Sequence, residues 1–211
     1  MVDLSTLQET VLTRLQAKHE AREQALAAAR LATRHAANAI RAVHRDERDQ
    51  ARELIAAARD ALADAEAACA GHPELEHAGF LGDARKEYVE ACTTDAFVSG
   101  AAVPAPEDLG VGDAEYLNGL AEAAGELRRR VLDRLRVGEL DRAEALLGAM
   151  DDIYALLVTI DFPDSITGGL RRATDVARGI VERTRGDVTT ALLQDRLRTE
   201  LARHRDDLLG S

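Results

Sequence analysis

The first 70 residues contain neither glycine nor proline, and this run constrains the fold more than any other feature. Glycine and proline are the residues that most often end a helix. Apolar residues recur at helical spacing along the whole run. It therefore predicts either one very long helix or two helices joined near His44–Asp46, with the GHP triplet at 71–73 as the stop.

The rest of the chain divides at its glycines and prolines into further helical segments. The pattern predicts helices over about 74–100, 113–137, 141–160, 165–184 and 188–208, with Gly79 as an alternative break and Gly186 and Asp187 separating the last two. No run of alternating β-branched residues predicts a strand. We expect one all-α domain over residues 1–211 with about seven helices.

The composition favours close helix packing. Apolar residues make up 46% of the chain, but aromatic residues only 3%, and tryptophan is absent. A core of this composition consists mainly of Ala, Leu, Ile and Val, which suits helices better than a β-sandwich.

Cysteine usage and hydropathy predict a cytoplasmic protein without a membrane segment. Cys69 and Cys92 form no C-x-x-C motif, which indicates reduced buried thiols. The N-terminus lacks the pattern of a signal peptide. The longest apolar run, ALLVTI at 155–160, is far too short to span a bilayer.

The charge pattern predicts a salt-adapted source, which we take to be an archaeon. The net charge is −11, and every basic residue except Lys18 and Lys86 is arginine. A strongly charged surface keeps proteins soluble in concentrated salt. The acidic total argues against nucleic-acid binding, but it does not show where the basic residues cluster. Walker and G-x-S-x-G motifs are absent, so nothing indicates a P-loop NTPase or an α/β-hydrolase.

Two pairs of carboxylates lie opposite apolar helix stripes. Glu87 and Glu90 flank Tyr88 on one predicted helix, and Glu122 and Glu126 lie four residues apart, about 40° from each other, on the next long one. If the two acidic faces meet, three or four carboxylates would form a hard oxygen site suited to Mg²⁺ or Mn²⁺. If they do not meet, the glutamates form ordinary solvated faces.

A row of arginines begins in a stretch without acids. No acidic residue lies between Glu23 and Asp46. On a continuous helix, six arginines would fall within about 60° of one another. The row could follow RNA phosphates, since guanidinium groups pair with phosphate oxygens, or it could be a solvated face or a subunit contact. Its members are Arg30, Arg34, Arg41, Arg45, Arg48 and Arg52.

Several stretches in register resemble the translin superfamily. They are RHAANAIRAVHR at 34–45, KEYVEA at 86–91, EYLNGLAEAAGELRR at 115–129 and DIYALLVTIDFPDSITGGLRR at 152–172. The order also matches: a long first helix that ends in a V-H pair, a helix with E-Y-V-E-A, and a helix with Y-L-x-G and G-E-L.

This resemblance implies an all-helical protein that forms ring-like or barrel-like octamers with RNA inside. Translin itself binds RNA and DNA, whereas its partner Trax keeps the E-Y-V-E motif and is a Mg²⁺-dependent endoribonuclease. This chain resembles the Trax branch. The resemblance implies that Glu87, Glu90 and Glu122 bind the metal, which activates a water for attack on RNA, and that Glu126 assists as a fourth catalytic residue.

One departure from the Trax pattern keeps an alternative function open. Glu122 stands where Trax has a catalytic aspartate, and the extra methylene moves the carboxylate by about one bond, which matters in an octahedral Mg²⁺ site. The chain is therefore predicted to be an endoribonuclease acting on single-stranded or poorly paired RNA, with Mg²⁺ or alternatively Mn²⁺. The alternative is that the chain binds RNA or single-stranded DNA without cutting it. In both cases we expect a homo-oligomer, with an octamer as the expected form.

Overall fold

The computed structural model describes residues 4–209, and within this range all regular structure is helical. The all-α prediction is therefore confirmed. The described part of the chain forms nine helices, of which six are long. They are α1 Leu4–His44, α2 Arg48–Ala68, α3 Pro73–Glu76, α4 Gly79–Ser99, α5 Pro106–Leu109, α6 Asp113–Arg136, α7 Leu140–Val158, α8 Asp164–Thr167 and α9 Leu170–Leu209.

The glycine-free first stretch forms two helices rather than one. Helix α1 ends at His44 and α2 begins at Arg48. Between them, Asp46 adopts the left-handed conformation with φ of 60°, which aspartate tolerates better than most residues. The chain turns there, and α2 packs back along α1.

Alanine makes this hairpin tight. The face of α1 that meets α2 and α4 consists of alanines three and four residues apart, which is the spacing of one helix face. Their small side chains let the helix axes approach closely. These alanines are fully or almost fully buried: Ala25, Ala29, Ala32, Ala36 and Ala39.

A second core lies between α6, α7 and α9. It contains the large buried side chains Leu127, Met150, Leu157 and Val181. Helix α4 joins the two cores, because it packs against α1 and α2 and also against α6. The functional residues predicted on α4 and α6 therefore lie at the joint between the two cores.

Gly119 sets the distance between α4 and α6. A Cβ atom added to Gly119 would lie 2.6 Å from the carbonyl oxygen of Lys86 and 2.8 Å from Cβ of Val89. No side chain fits in that space, so only glycine allows the two helices to approach this closely.

The predicted break at Gly186 is wrong. Helix α9 runs without interruption from Leu170 to Leu209. Thr184 and Val188, on either side of Gly186, are both buried, so the apolar stripe continues across the glycine. This burial outweighs the roughly 1 kcal/mol by which glycine disfavours a helix interior.

The other boundaries agree with the sequence to within a few residues. The alternative break at Gly79 is confirmed, because α4 begins there. The predicted loop at 103–113 contains the one-turn helix α5, and the helix predicted from residue 165 is split into the short α8 and the start of α9. Among residues 4–209, no helix is long and apolar enough to cross a membrane.

Candidate metal and RNA site

Three carboxylates converge where α4 crosses α6. Glu87 and Glu90 extend from α4 and Glu122 from α6, and each offers an oxygen atom that lies within 4.8 Å of the others. Glu87 and Glu90 are three residues apart and so share a helix face. The close approach at Gly119, three residues before Glu122, brings that face against α6. The predicted convergence of the two acidic faces is confirmed for these three residues.

Burial makes the charge of this cluster costly. Glu90 is only 9% exposed. Burial, together with the negative charges of Glu122, Glu87 and Glu126, raises the pKa of Glu90 to about 8. Burial and the charge of Glu122 also raise the pKa of Glu87. The cluster therefore favours positive charge, supplied either by protons or by a cation.

Lys86 supplies part of that charge. Its Nζ atom lies 2.8 Å from Oε1 of Glu122. Burial lowers the pKa of Lys86, but the hydrogen bond to Glu122 and the nearby carboxylates outweigh it, so the pKa is raised. The ammonium group thus neutralises the cluster from one side.

Glu126 lies next to the cluster but is paired with another residue. Its Oε2 atom contacts Nε2 of His44, whose side chain is 3% exposed. The hydrogen bond to His44 lowers the pKa of Glu126, although burial opposes the effect. Glu126 is not one of the three carboxylates that converge. It links the end of α1 to α6 behind them.

A cavity of about 450 Å³ opens beside the cluster. Glu90 and Glu122 line it together with Arg172 near the start of α9. Arg172 is exposed, so its guanidinium group can contact an anion that enters the cavity. The lining of the cavity thus combines one cationic side chain with two acidic ones.

The three carboxylates suit a hard divalent cation. Oxygens that share one Mg²⁺ lie at most about 4.2 Å apart, which is twice the Mg–O distance. The separations of up to 4.8 Å need only small side-chain adjustments to reach this limit. Oxygen-only ligands fit Mg²⁺ or Mn²⁺ better than zinc or copper.

The six predicted arginines do not form one continuous row. Arg30, Arg34 and Arg41 lie on α1, Arg45 lies in the turn, and Arg48 and Arg52 lie on α2. The turn reverses the chain, so the helical angles calculated for a continuous helix do not apply beyond His44.

The arginines differ in their contacts. All six are exposed. Arg41 donates a hydrogen bond to Asn38, and Arg45 forms an ion pair with Glu47 at 2.6 Å. The acids that follow residue 45 thus neutralise part of the predicted surface, while the stretch of α1 before it keeps its positive charge.

Sequence reasoning assigned no role to three residues of this site. Lys86 and His44 lie inside the stretches that resemble translin, but their partners Glu122 and Glu126 are 36 and 82 residues away in the chain. Arg172 closes the last resembling stretch. Only the packing of α6 against α1, α4 and α9 brings these residues together.

Comparisons with known proteins place the chain in a family. No family model matches it. It is 31% identical over 188 residues to the uncharacterized protein MJ0175 of Methanocaldococcus jannaschii, covering 88% of this chain and 83% of that protein.

Solved structures also match this chain over most of its length. The structure of AfC3PO in complex with duplex RNA is 33% identical, with a TM-score of 0.81, and the match covers 89% of this chain and 97% of that one. A crystal structure of AfC3PO is 34% identical, with a TM-score of 0.82 over the same shares of both chains. Apo-NeC3PO shares the fold, with a TM-score of 0.78 over 90% of this chain and 98% of that one, at 19% identity. The chain belongs to the translin/Trax-like C3PO family.

Proposed function

We propose that this protein is a Mg²⁺-dependent endoribonuclease that cuts single-stranded or poorly paired RNA. The observation that carries the proposal is the convergence of Glu87, Glu90 and Glu122 within 4.8 Å. Three carboxylates, one of them buried, repel one another, and such an arrangement is stabilised when a cation binds.

The residues of the site have distinct roles in this proposal. A bound divalent cation would supply Lewis acidity at phosphate and lower the pKa of water. Glu87, Glu90 and Glu122 hold it, and Arg172 orients a phosphate group in the adjoining cavity. The hydrogen bond from His44 fixes the Glu126 carboxylate behind the cluster, where its negative charge adds to the cation affinity.

RNA is the ligand class that the comparison supports. The structure of AfC3PO has been solved in complex with duplex RNA, and we extend RNA binding to this chain. The proposed contacts are the arginines in the second half of α1, in the turn and at the start of α2: Arg30, Arg34, Arg41, Arg45 and Arg48. Guanidinium groups in this region would bind the phosphate backbone and hold the strand near the cluster.

We also propose that the protein acts as a homo-oligomer, with an octamer as the expected form. The amino-terminal part of α1 and the carboxyl-terminal part of α9 each carry an exposed apolar stripe, which isolated monomers rarely present to water. One stripe, on α1, comprises Leu4, Leu7, Val11, Leu12 and Leu15, and the other, on α9, comprises Leu193, Leu197, Leu201 and Leu208. Light scattering at molar salt should give a mass several times 22.8 kDa, and a monomeric mass would contradict the proposal.

A cleavage assay tests the enzyme directly. Purified protein is incubated with end-labelled single-stranded RNA and with duplex RNA, in molar salt, with Mg²⁺, with Mn²⁺ or with EDTA. We expect cutting only with the divalent metals, and faster cutting of the single strand. Glu87→Gln, Glu90→Gln and Glu122→Gln should each abolish cleavage and leave RNA binding in EDTA unchanged.

Glu144→Gln is the matched control, because Glu144 is an exposed glutamate on α7. It should cut like the parent. If the three site variants also cut like the parent, the carboxylate cluster is not the catalytic centre.

One observation favours the non-catalytic alternative. Lys86 already neutralises Glu122, and that glutamate replaces the aspartate of the Trax pattern. If binding persists but neither metal supports cleavage, the protein is an RNA-binding member of the family. Glu122→Asp then restores the Trax residue, and its cleavage would show that the longer side chain is what prevents activity.

A further inference from the structure

An arginine-lined pocket lies further along α6 than the carboxylate cluster, at Arg130 and Arg134. It has a volume of about 280 Å³ and is formed by the start of α2, the carboxyl end of α4, the last turns of α6 and the first turns of α7. Four of its lining residues are arginines: Arg48, Arg130, Arg134 and Arg142. None of the three predicted metal ligands lines it.

The acids near this pocket do not balance its charge. Asp46 pairs with Arg130 and, at 3.6 Å, with Arg134. Glu139 pairs with Arg134 at 3.0 Å and with Arg142 at 3.6 Å. These two carboxylates therefore serve three of the four guanidinium groups. Asp95 on α4 also interacts with Arg48, but it interacts with Arg52 as well.

Helix dipoles do not account for the excess positive charge. The carboxyl ends of α4 and α6 border the pocket and carry partial negative charge, but the amino ends of α2 and α7 border it too and carry partial positive charge. These contributions oppose one another, so the arginine side chains decide the potential.

One buried donor in the pocket has no protein partner. Nε of Arg134 is buried and makes no hydrogen bond among residues 4–209. The Arg130 side chain is 5% exposed and is held in place by Asp46 and by the backbone oxygen of His44. Buried donors are nearly always satisfied in folded proteins, so Nε of Arg134 is a donor that a ligand of the pocket could engage.

We propose that this pocket binds the terminal phosphate of an RNA strand. A phosphate oxygen would satisfy Nε of Arg134, while Arg48 and Arg142, both exposed at the rim, would contact the remaining oxygens as guanidinium groups commonly do. A terminal phosphate carries close to two negative charges at neutral pH, against one for a phosphate within the chain. The excess of arginine thus favours an end over an internal linkage.

The position of the pocket fits the proposed nuclease, and this inference rests on the RNA binding proposed above. Glu122 and Arg130 lie eight residues apart on α6, which is about 12 Å along the helix. A strand held by its end phosphate would pass the carboxylate cluster a short distance from that end. The protein would then cut near phosphorylated ends.

The test uses the full-length protein in EDTA, so that binding is measured without cleavage. Fluorescence anisotropy compares one single-stranded RNA sequence with a 5′-phosphate, with a 3′-phosphate and with two hydroxyl ends. We expect one phosphorylated form to bind about tenfold more tightly than the hydroxyl form, as a few charge-assisted hydrogen bonds would give. Inorganic phosphate should compete with that form and raise the melting temperature relative to chloride at equal ionic strength.

Substitutions of arginines in and near the pocket test whether it binds the terminal phosphate. Arg142→Ala should abolish the preference for the phosphorylated end and leave the affinity for hydroxyl-ended RNA unchanged. Arg136→Ala is the control, because Arg136 is an exposed arginine at the end of α6 that does not line the pocket. It should keep the preference. Arg134→Lys removes Nε while retaining the charge, and it should reduce the preference with little change in melting temperature.

Equal binding of all three RNAs by the parent, or the same preference in Arg142→Ala as in the parent, overturns the proposal. The outcome is separate from that of the cleavage assay. Cutting without any end preference would refute only the pocket, and end preference in a protein that never cuts would refute only the nuclease.

Discussion

The buried carboxyl group of Glu90 links protein stability to pH. Burial and the charges of Glu122 and Glu87 raise its pKa to about 8, whereas a glutamate in an unfolded chain titrates near 4.3. At pH values between these two pKa values, Glu90 keeps its proton in the folded protein and loses it in the unfolded chain. The free energy of unfolding must therefore fall as pH rises through this window.

Glu90→Gln removes this dependence, because an amide does not titrate and resembles the protonated acid in shape. From pH 5 to pH 8 the linkage amounts to about 4 kcal/mol, which is three pH units at 1.36 kcal/mol each. Over that interval the parent should lose about 4 kcal/mol more stability than Glu90→Gln does. Surface charges that titrate in the same range affect both proteins equally.

Urea unfolding at pH 5 and pH 8 measures the effect, with EDTA, fixed molar salt and fixed protein concentration. Glu144→Gln should lose as much stability as the parent. At pH 8, added Mg²⁺ should stabilise the parent, because the cation binds the folded carboxylate cluster and not the unfolded chain, and it should not stabilise Glu90→Gln. If the two proteins lose the same free energy between the two pH values, Glu90 is ionised in the folded protein and the reasoning about its burial is wrong.

Three other substitutions test the site and the fold. Gly119→Ala should destabilise the protein by about 3 kcal/mol, the upper range for overpacking, because its methyl group would collide with Val89. An unchanged midpoint of urea unfolding would contradict the close approach of α4 and α6. Lys86→Met should bind Mg²⁺ several-fold more tightly in calorimetry, since it removes a cation that competes for Glu122, and weaker binding would show that Lys86 supports the site. Gly186→Ala should raise the free energy of unfolding by about 0.5–1 kcal/mol, because the added methyl group meets no atom within 4 Å; a loss of stability would mean that α9 is interrupted there.

Local sequence signals predicted the helices but not every boundary. The absence of glycine and proline over residues 1–70 left one long helix and two helices joined near Asp46 as alternatives, and the structure has two. The sequence predicts a break at Gly186 because glycine has a low helix propensity. Helix α9 continues through Gly186 because its apolar stripe is buried against α6 and α7. Helix propensity is a local property and does not include the energy of this packing.

The residues of the candidate site could be predicted from the sequence only because the family resemblance identified them. From spacing alone, Glu87, Glu90 and Glu122 fitted a solvated face as well as a metal site, because a helical wheel shows which residues share a face but not what covers that face. The structure shows that α6 covers it. For the arginines, the helical wheel predicts an arrangement that the structure does not have. A wheel drawn for one continuous helix aligns all six arginines on one face, but the turn at residues 45–47 divides them between two helices.

Helix α6 connects the carboxylate cluster with the arginine pocket. Glu122, Glu126, Arg130 and Arg134 follow one another at intervals of four residues, so they lie along one ridge of the helix.

Each residue of this ridge has a partner on another element. Lys86 of α4 pairs with Glu122, His44 at the end of α1 pairs with Glu126, and Asp46 in the turn pairs with Arg130 and Arg134. The ridge thus changes from acidic to basic within about 18 Å, at 1.5 Å per residue. Because a helix is rigid over this length, its two ends are held at a fixed separation. A substrate that bridges them would be held at that separation by α6. A change that shifts α6 along α4 would disturb both ends, because Glu87 and Glu90 of the cluster and part of the pocket lining belong to α4.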